Sequence, residues 1–268
     1  MIKHFLNPPN WFTSASIFCS TYALSLLIAS AEVDAAVLSR ACVLVIFGGI
    51  FDLLDGRVAR LTRRYSDFGV QLDTIADMVG FGLAPALVAW TWKLHELGPL
   101  GIAATFWYVL CAAYRLARFN VDATERRWNL AGHTQGLTST MAGGSLVTTV
   151  WVFNGYLADA HVPAWAVALF VSALGSLMIS SLPFRNFKDL RRNKRARSLL
   201  AVSLACCLAG AVVLDPSMWW GIGAALYLTL GVADGVIVAL HARATNRLGR
   251  LEEPFVEADE EELEDISA

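Results

Sequence analysis

An all-α, polytopic membrane helix bundle is the fold class this sequence predicts, and three observations predict it. Hydrophobic residues make up 56% of the 268 positions, and the mean hydropathy of +0.52 is higher than an ordinary soluble domain carries. Apolar runs of roughly 20 residues, long enough to cross a bilayer as a helix, recur along the chain. Basic residues gather at alternate ends of those runs, the pattern of the positive-inside rule.

Taken in order, the runs predict about eight transmembrane helices, at approximately 11–31, 35–56, 67–92, 100–117, 137–157, 162–182, 199–214 and 218–240. The first follows a polar start, MIKHFLNPPN, and has no small-residue cleavage site, so no cleavable signal peptide is expected. Clusters at Arg57 to Arg64, Arg115 to Arg127, Arg185 to Arg197 and Arg243 to Arg250 all follow even-numbered runs. Of 21 Lys and Arg, only Arg40 and Lys93 fall near the opposite ends, which places both termini in the cytoplasm and leaves only short external loops. Cys19, Cys42, Cys111, Cys206 and Cys207 all lie within apolar runs and read as packing residues, without a disulfide or zinc framework. In the eighth run, Asp234 stands between Gly231 and Gly235, a position suited to pairing with a neighbouring helix.

The net charge of −2 conceals an asymmetry, because nine of the 23 acidic residues fall between 252 and 268. Residues 1–245 are therefore expected to form the membrane domain, and 246–268 an acidic, disordered cytoplasmic tail.

Chemistry concentrates between Asp52 and Asp77, in the stretch DLLDGRVARLTRRYSDFGVQLDTIAD. A charged carboxylate at the centre of a bilayer costs roughly 2.5–3.5 kcal/mol, less near the interface, so four of them need compensating positive charge. Asp52 and Asp55 stand three apart, Asp73 and Asp77 four apart, so each pair shares one face of its helix. Two such pairs facing each other make a site for two divalent ions. Gly56, Ala59 and Gly69 keep the adjoining surface low, and Arg60 supplies a fixed cation suited to phosphate.

Those residues, at those spacings, resemble the signature of the CDP-alcohol phosphotransferase family. The resemblance implies that Asp52, Asp55, Asp73 and Asp77 bind two ions of magnesium or manganese, with Asp77 also the catalytic proton acceptor. It places the CDP-diacylglycerol headgroup against Gly56, Ala59, Arg60, Ser66 and Gly69, and, through the opening PNWFT, against Asn10 and Thr13. An alcohol would attack the β-phosphorus directly and release CMP, since the motif offers no nucleophile for a covalent intermediate.

Further stretches resemble the family's phosphatidylserine synthase branch: MVGFGLAPA after Asp77, with Gly80 where Ser is usual; YRLARFN from Tyr114 to Asn120; QGLTSTMAGG from Gln135, with Thr138 where Pro is usual; and SSLPFRNFKDL at 180–190. The implied acceptor is L-serine, with Arg115, Arg118 and Asn120 binding it. Gly143, Gly144 and Ser145 read as close-packing positions, and His133 as a loop residue. The resemblance also implies a homodimer in a bacterial or archaeal cytoplasmic membrane, its active site facing the cytoplasm, with no nucleic-acid partner. Glycerol 3-phosphate, an inositol phosphate or choline are the rival acceptors. A membrane cation transporter is the rival from another class, but it leaves the crowding of Asp residues beside Arg60 unexplained.

Overall fold

A computed structural model describes residues 7–30, 33–62, 66–125, 133–155, 157, 160–185, 221–226, 228–233 and 235. The predicted segment 199–214, Asp234 and the acidic tail 246–268 lie outside the described residues. Helix α1 spans Pro8–Ala29 and α2 spans Ala35–Thr62. The next run is divided into α3, Asp67–Asp77, a π-helical segment, Met78–Leu83, and α4, Ala84–Trp92. After a 3₁₀ turn at Leu94–Leu97 come α5, Pro99–Glu125, strand β1, His133–Gln135, α6, Ser139–Gly155, α7, Ala164–Ile179, and strand β2, Pro183–Arg185. Residues 221–226 and 228–233 are also helical. Among the described residues, four helices are long and apolar enough to cross a membrane: Pro8–Ala29, Ala35–Thr62, Asp67–Trp92 and Pro99–Val121.

Local chemistry explains where these helices begin. Pro8 and Pro9 occupy the first turn of α1, where an amide donor has no intrahelical acceptor to lose. Asp34 starts α2, its Oδ1 accepting from the Val37 amide at 2.7 Å. Ser66 caps α3 by accepting from the Gly69 amide at 3.0 Å, and Asp67 adds negative charge to that first turn. Thr138 serves α6 likewise, its Oγ1 accepting from the Met141 amide at 3.4 Å. The α6 helix thus acquires an N-cap at the position where the resembled pattern carries proline.

Helix ends depart from the sequence reading. The second run continues to Thr62 instead of stopping near 56, and the fourth to Glu125 instead of 117. Hydropathy marks where a chain leaves apolar surroundings, whereas Arg, Ala and Leu continue a helix in water as well as in lipid. The strands are a second departure from an all-α fold. β1 and β2 pair antiparallel, His133 opposite Arg185 and Gln135 opposite Pro183. The turn after β1 needs Gly136 at φ +72°, where a Cβ would stand 2.4 Å from the Met178 carbonyl oxygen.

Among the described residues the core has two parts, and α4 contributes to both. Ala84 and Val88 pack with Ala23 and Leu27 of α1, Ala41, Cys42 and Val45 of α2, and Val147 and Val150 of α6. Ala86 and Ala89 pack into the second part, with Tyr108 and Ala112 of α5, Leu146 of α6, and Val171, Leu174 and Met178 of α7. The small side chains of α4 let neighbouring helices approach it closely, where dispersion contacts accumulate. Gly143 permits the tightest approach to the π segment, since a Cβ there would stand 2.8 Å from the Phe81 carbonyl oxygen and 2.9 Å from Phe81 Cα. Gly143→Ala is accordingly expected to lower stability by about 1–3 kcal/mol through overpacking, measured as a reduced melting temperature in detergent.

Candidate active site

The four motif carboxylates converge from α2 and the end of α3. One carboxylate oxygen from each of Asp52, Asp55 and Asp73 lies within 4.8 Å of the others. Asp77 adjoins Asp52, within electrostatic reach of Asp73, Asp55 and the Arg115 guanidinium. Asp55 is 6% exposed, and its Oδ2 accepts from Thr13 Oγ1 at 2.7 Å, a bond that joins α1 to α2 and sets the carboxylate's orientation. By contrast, Asp77 Oδ1 is buried without a hydrogen-bond partner among the described residues.

This donor set fits divalent cations. Like charges crowded in an apolar setting repel unless a cation lies among them, and magnesium or manganese prefers oxygen donors of this kind. The orphaned Asp77 oxygen supports the same conclusion, because a buried carboxylate oxygen with no donor is costly unless it serves a ligand or accepts a proton.

Beside the carboxylates lies a cavity of about 150 Å³, lined by Asn10, Thr13, Gly56, Ala59, Arg60, Ser66 and Gly69 together with Asp55 and Asp73. The structure thus gathers in one place the residues to which the resemblance assigns the nucleotide headgroup. Gly56 lies under the Arg60 guanidinium, with Nη1 3.8 Å from where a Cβ would stand. Gly69 has Ser66 Oγ and Asn10 Oδ1 at 3.1 and 3.3 Å from the corresponding point, so a side chain at 69 would crowd the cavity wall.

The residues expected to bind the acceptor are divided among different tasks. Arg115 is 8% exposed, donates from Nη1 to Ser139 Oγ at 2.8 Å, and stands over the Phe119 ring at 5.9 Å while remaining within reach of Asp77. Arg118 points elsewhere: Nη1 donates to the Ile179 carbonyl and Nη2 to the Met178 and Gln135 carbonyls, each at 3.2 Å. It caps the end of α7 and ties the β1 turn to it. Asn120 donates from Nδ2 to Thr74 Oγ1 at 3.1 Å, joining α5 to the turn of α3 beside Asp73.

Ser139, Thr74 and Tyr108 escaped the sequence reading as site residues, because each meets its partner, Arg115, Asn120 or the Phe81 carbonyl, across a long sequence separation, even though Ser139 and Thr74 lie within the quoted motif stretches. Gly80 is buried against α1, with Ser20 Oγ 3.3 Å from where its Cβ would stand. A hydroxyl from α1 therefore lies near the place where the resembled pattern carries a serine.

Comparisons with known proteins point to one family. The profile of the family described as CDP-alcohol phosphatidyltransferase matches residues 6–172. A Helicobacter pylori protein named CDP-diacylglycerol–serine O-phosphatidyltransferase is 32% identical over 225 residues, covering 84% of this chain and 89% of its own. Proteins of the same name are 33% identical in Bacillus subtilis, over 56% of this chain and 77% of theirs, and 33% identical in Methanocaldococcus jannaschii, over 65% and 76%. With a profile match over residues 6–172 and a relative 32% identical across most of both chains, the chain belongs to the CDP-alcohol phosphatidyltransferase family.

Proposed function

We propose that this protein transfers the phosphatidyl group of CDP-diacylglycerol to the hydroxyl of L-serine, giving phosphatidylserine and CMP, by a metal-assisted direct displacement. The observation that carries the reading is the carboxylate cluster of Asp52, Asp55 and Asp73, set against a cavity bounded by Arg60 and backed by small residues. The names of the relatives support serine as the acceptor. Asp52, Asp55, Asp73 and Asp77 would hold two divalent ions, magnesium or manganese, which would supply charge neutralisation at the pyrophosphate.

The protein's own groups do the remainder. Arg60 holds a phosphate of the nucleotide over Gly56, and Asn10, Thr13, Ser66 and Gly69 bound the pocket that receives the headgroup. Asp77 accepts the serine hydroxyl proton at its orphaned Oδ1 as the alcohol oxygen attacks the β-phosphorus and CMP departs. Arg115, buried and close to Asp77, pairs with the serine carboxylate. Asn120 and Arg118 complete the acceptor region, the former beside Asp73 through Thr74 and the latter by fixing the β1 turn against α7.

The basic clusters support a cytoplasmic active site and cytoplasmic termini in a bundle of about eight spanning helices, and the family resemblance supports a homodimer. Direct displacement predicts inversion of configuration at phosphorus, readable with a chiral thiophosphate substrate; retention, or serine-independent exchange of labelled CMP into CDP-diacylglycerol, would show a covalent intermediate instead. The deciding experiment incubates purified protein with CDP-diacylglycerol, each metal, and serine, glycerol 3-phosphate, an inositol phosphate or choline in turn. Phosphatidylserine with stoichiometric CMP is expected. A different lipid product reassigns the acceptor, and no CMP with any alcohol removes the transferase reading.

A further inference from the structure

The third spanning run is not one continuous α-helix, and the break lies immediately after Asp77. Through Met78–Leu83 the backbone is π-helical, with the Ala84 amide donating to the Val79 carbonyl, five residues back. Pro85 explains the break. In a regular α-helix the Phe81 carbonyl would accept from the amide of residue 85, but proline has no amide hydrogen and its ring collides with that carbonyl. The freed carbonyl is satisfied from another helix: Tyr108 of α5, fully buried, donates its hydroxyl to Phe81 O at 3.0 Å. Gly143 of α6 leaves room for the displaced backbone at Phe81.

A π turn accommodates one additional residue, so it rotates the helix on one side of it relative to the other by about 100°. On a straight α-helix Asp77 and Val88 would share one face to within roughly 20°. The π segment separates those faces. Val88 can remain in the core with α1, α2 and α6 while Asp73 and Asp77 turn toward Asp52 and Asp55.

We propose that Pro85, Tyr108 and Gly143 are positioning residues that hold the π segment and thereby set the rotation at which Asp73 and Asp77 meet the carboxylates of α2. The inference rests on the metal-site reading above. Replacing a proline inside a helix with alanine restores an amide donor and favours the helix, so a purely structural role for Pro85 leaves metal affinity unchanged whereas a positioning role weakens it.

The test titrates purified full-length protein in detergent with Mn²⁺ alone, by calorimetry, alongside thermal melting. Pro85→Ala is expected to keep or raise the melting temperature while weakening Mn²⁺ binding by roughly ten- to a hundred-fold, the range seen when groups that orient metal ligands are lost. Tyr108→Phe, which leaves Phe81 O unpaired, is expected to lower both melting temperature and Mn²⁺ affinity. In Pro85→Ala/Tyr108→Phe the new amide satisfies that carbonyl, so the melting temperature recovers and Mn²⁺ affinity does not. Wild-type Mn²⁺ affinity in Pro85→Ala or in the double variant overturns the positioning role and leaves the transferase reading intact. A wild-type protein that binds no Mn²⁺ and releases CMP in the presence of a chelator overturns the metal site and this inference with it.

Discussion

Asp77→Asn is expected to reduce turnover by roughly 10²–10⁴-fold, the contribution of a well-placed general base, while the protein stays folded. An amide matches the carboxylate in shape but cannot take the alcohol's proton. Loss of fold is not the expected cause, because Asp77 sits among the like charges of Asp52, Asp55 and Asp73, and removing one charge relieves their repulsion. Asp73→Asn should be comparably damaging for another reason, since it removes an oxygen from the cluster whose members lie within 4.8 Å. CMP release against metal concentration separates the two. Asp73→Asn should raise the metal requirement steeply, whereas Asp77→Asn should lower the maximum rate even at saturating metal. Near-normal turnover with unchanged metal dependence in Asp73→Asn would remove the cluster from the mechanism.

Arg115→Gln is expected to raise the serine concentration needed for half-maximal rate by about ten-fold or more, because a charge-assisted hydrogen bond contributes roughly 1.5–3 kcal/mol. Arg118→Gln should leave the serine dependence nearly flat and lower the melting temperature, since its donors go to the carbonyls of Gln135, Met178 and Ile179. On sequence grounds the two arginines, one helical turn apart, form a matched pair for a single anion. The structure gives them different partners, and serine titration at saturating CDP-diacylglycerol measures that difference. Equal shifts in serine dependence for both variants would restore the matched pair. A flat response in both would move acceptor recognition to another group near Asp77.

Much of the site is legible in the sequence because its residues are close in the chain. Asp52, Asp55, Gly56, Ala59 and Arg60 share α2, Ser66 to Asp77 follow a few positions later in the chain, and helical periodicity alone puts each aspartate pair on one face. Asn10 and Thr13 are different. They lie far from the motif in sequence, and only their resemblance to a known opening brought them in. The structure shows the physical link, a Thr13 hydroxyl donating to Asp55 across 42 positions of chain.

What the sequence by itself determined is the chemistry available and its approximate depth: carboxylates, a cation and small residues at the end of apolar runs, where hydropathy and helical period suffice. Tertiary structure decided which groups each side chain meets. Arg115 could turn to Ser139 and the Asp77 region, and Arg118 to the end of α7, only once α5, α6 and α7 had packed together. Pro85 is visible in the sequence as a missing donor, but the partner that replaces that donor is Tyr108, 27 positions from Phe81. Local propensity depends on neighbours along the chain, whereas a freed carbonyl or a guanidinium is satisfied by whatever polar group packing brings within hydrogen-bonding distance. For that reason the rotation of the helix that carries Asp73 and Asp77 belongs to the assembled bundle.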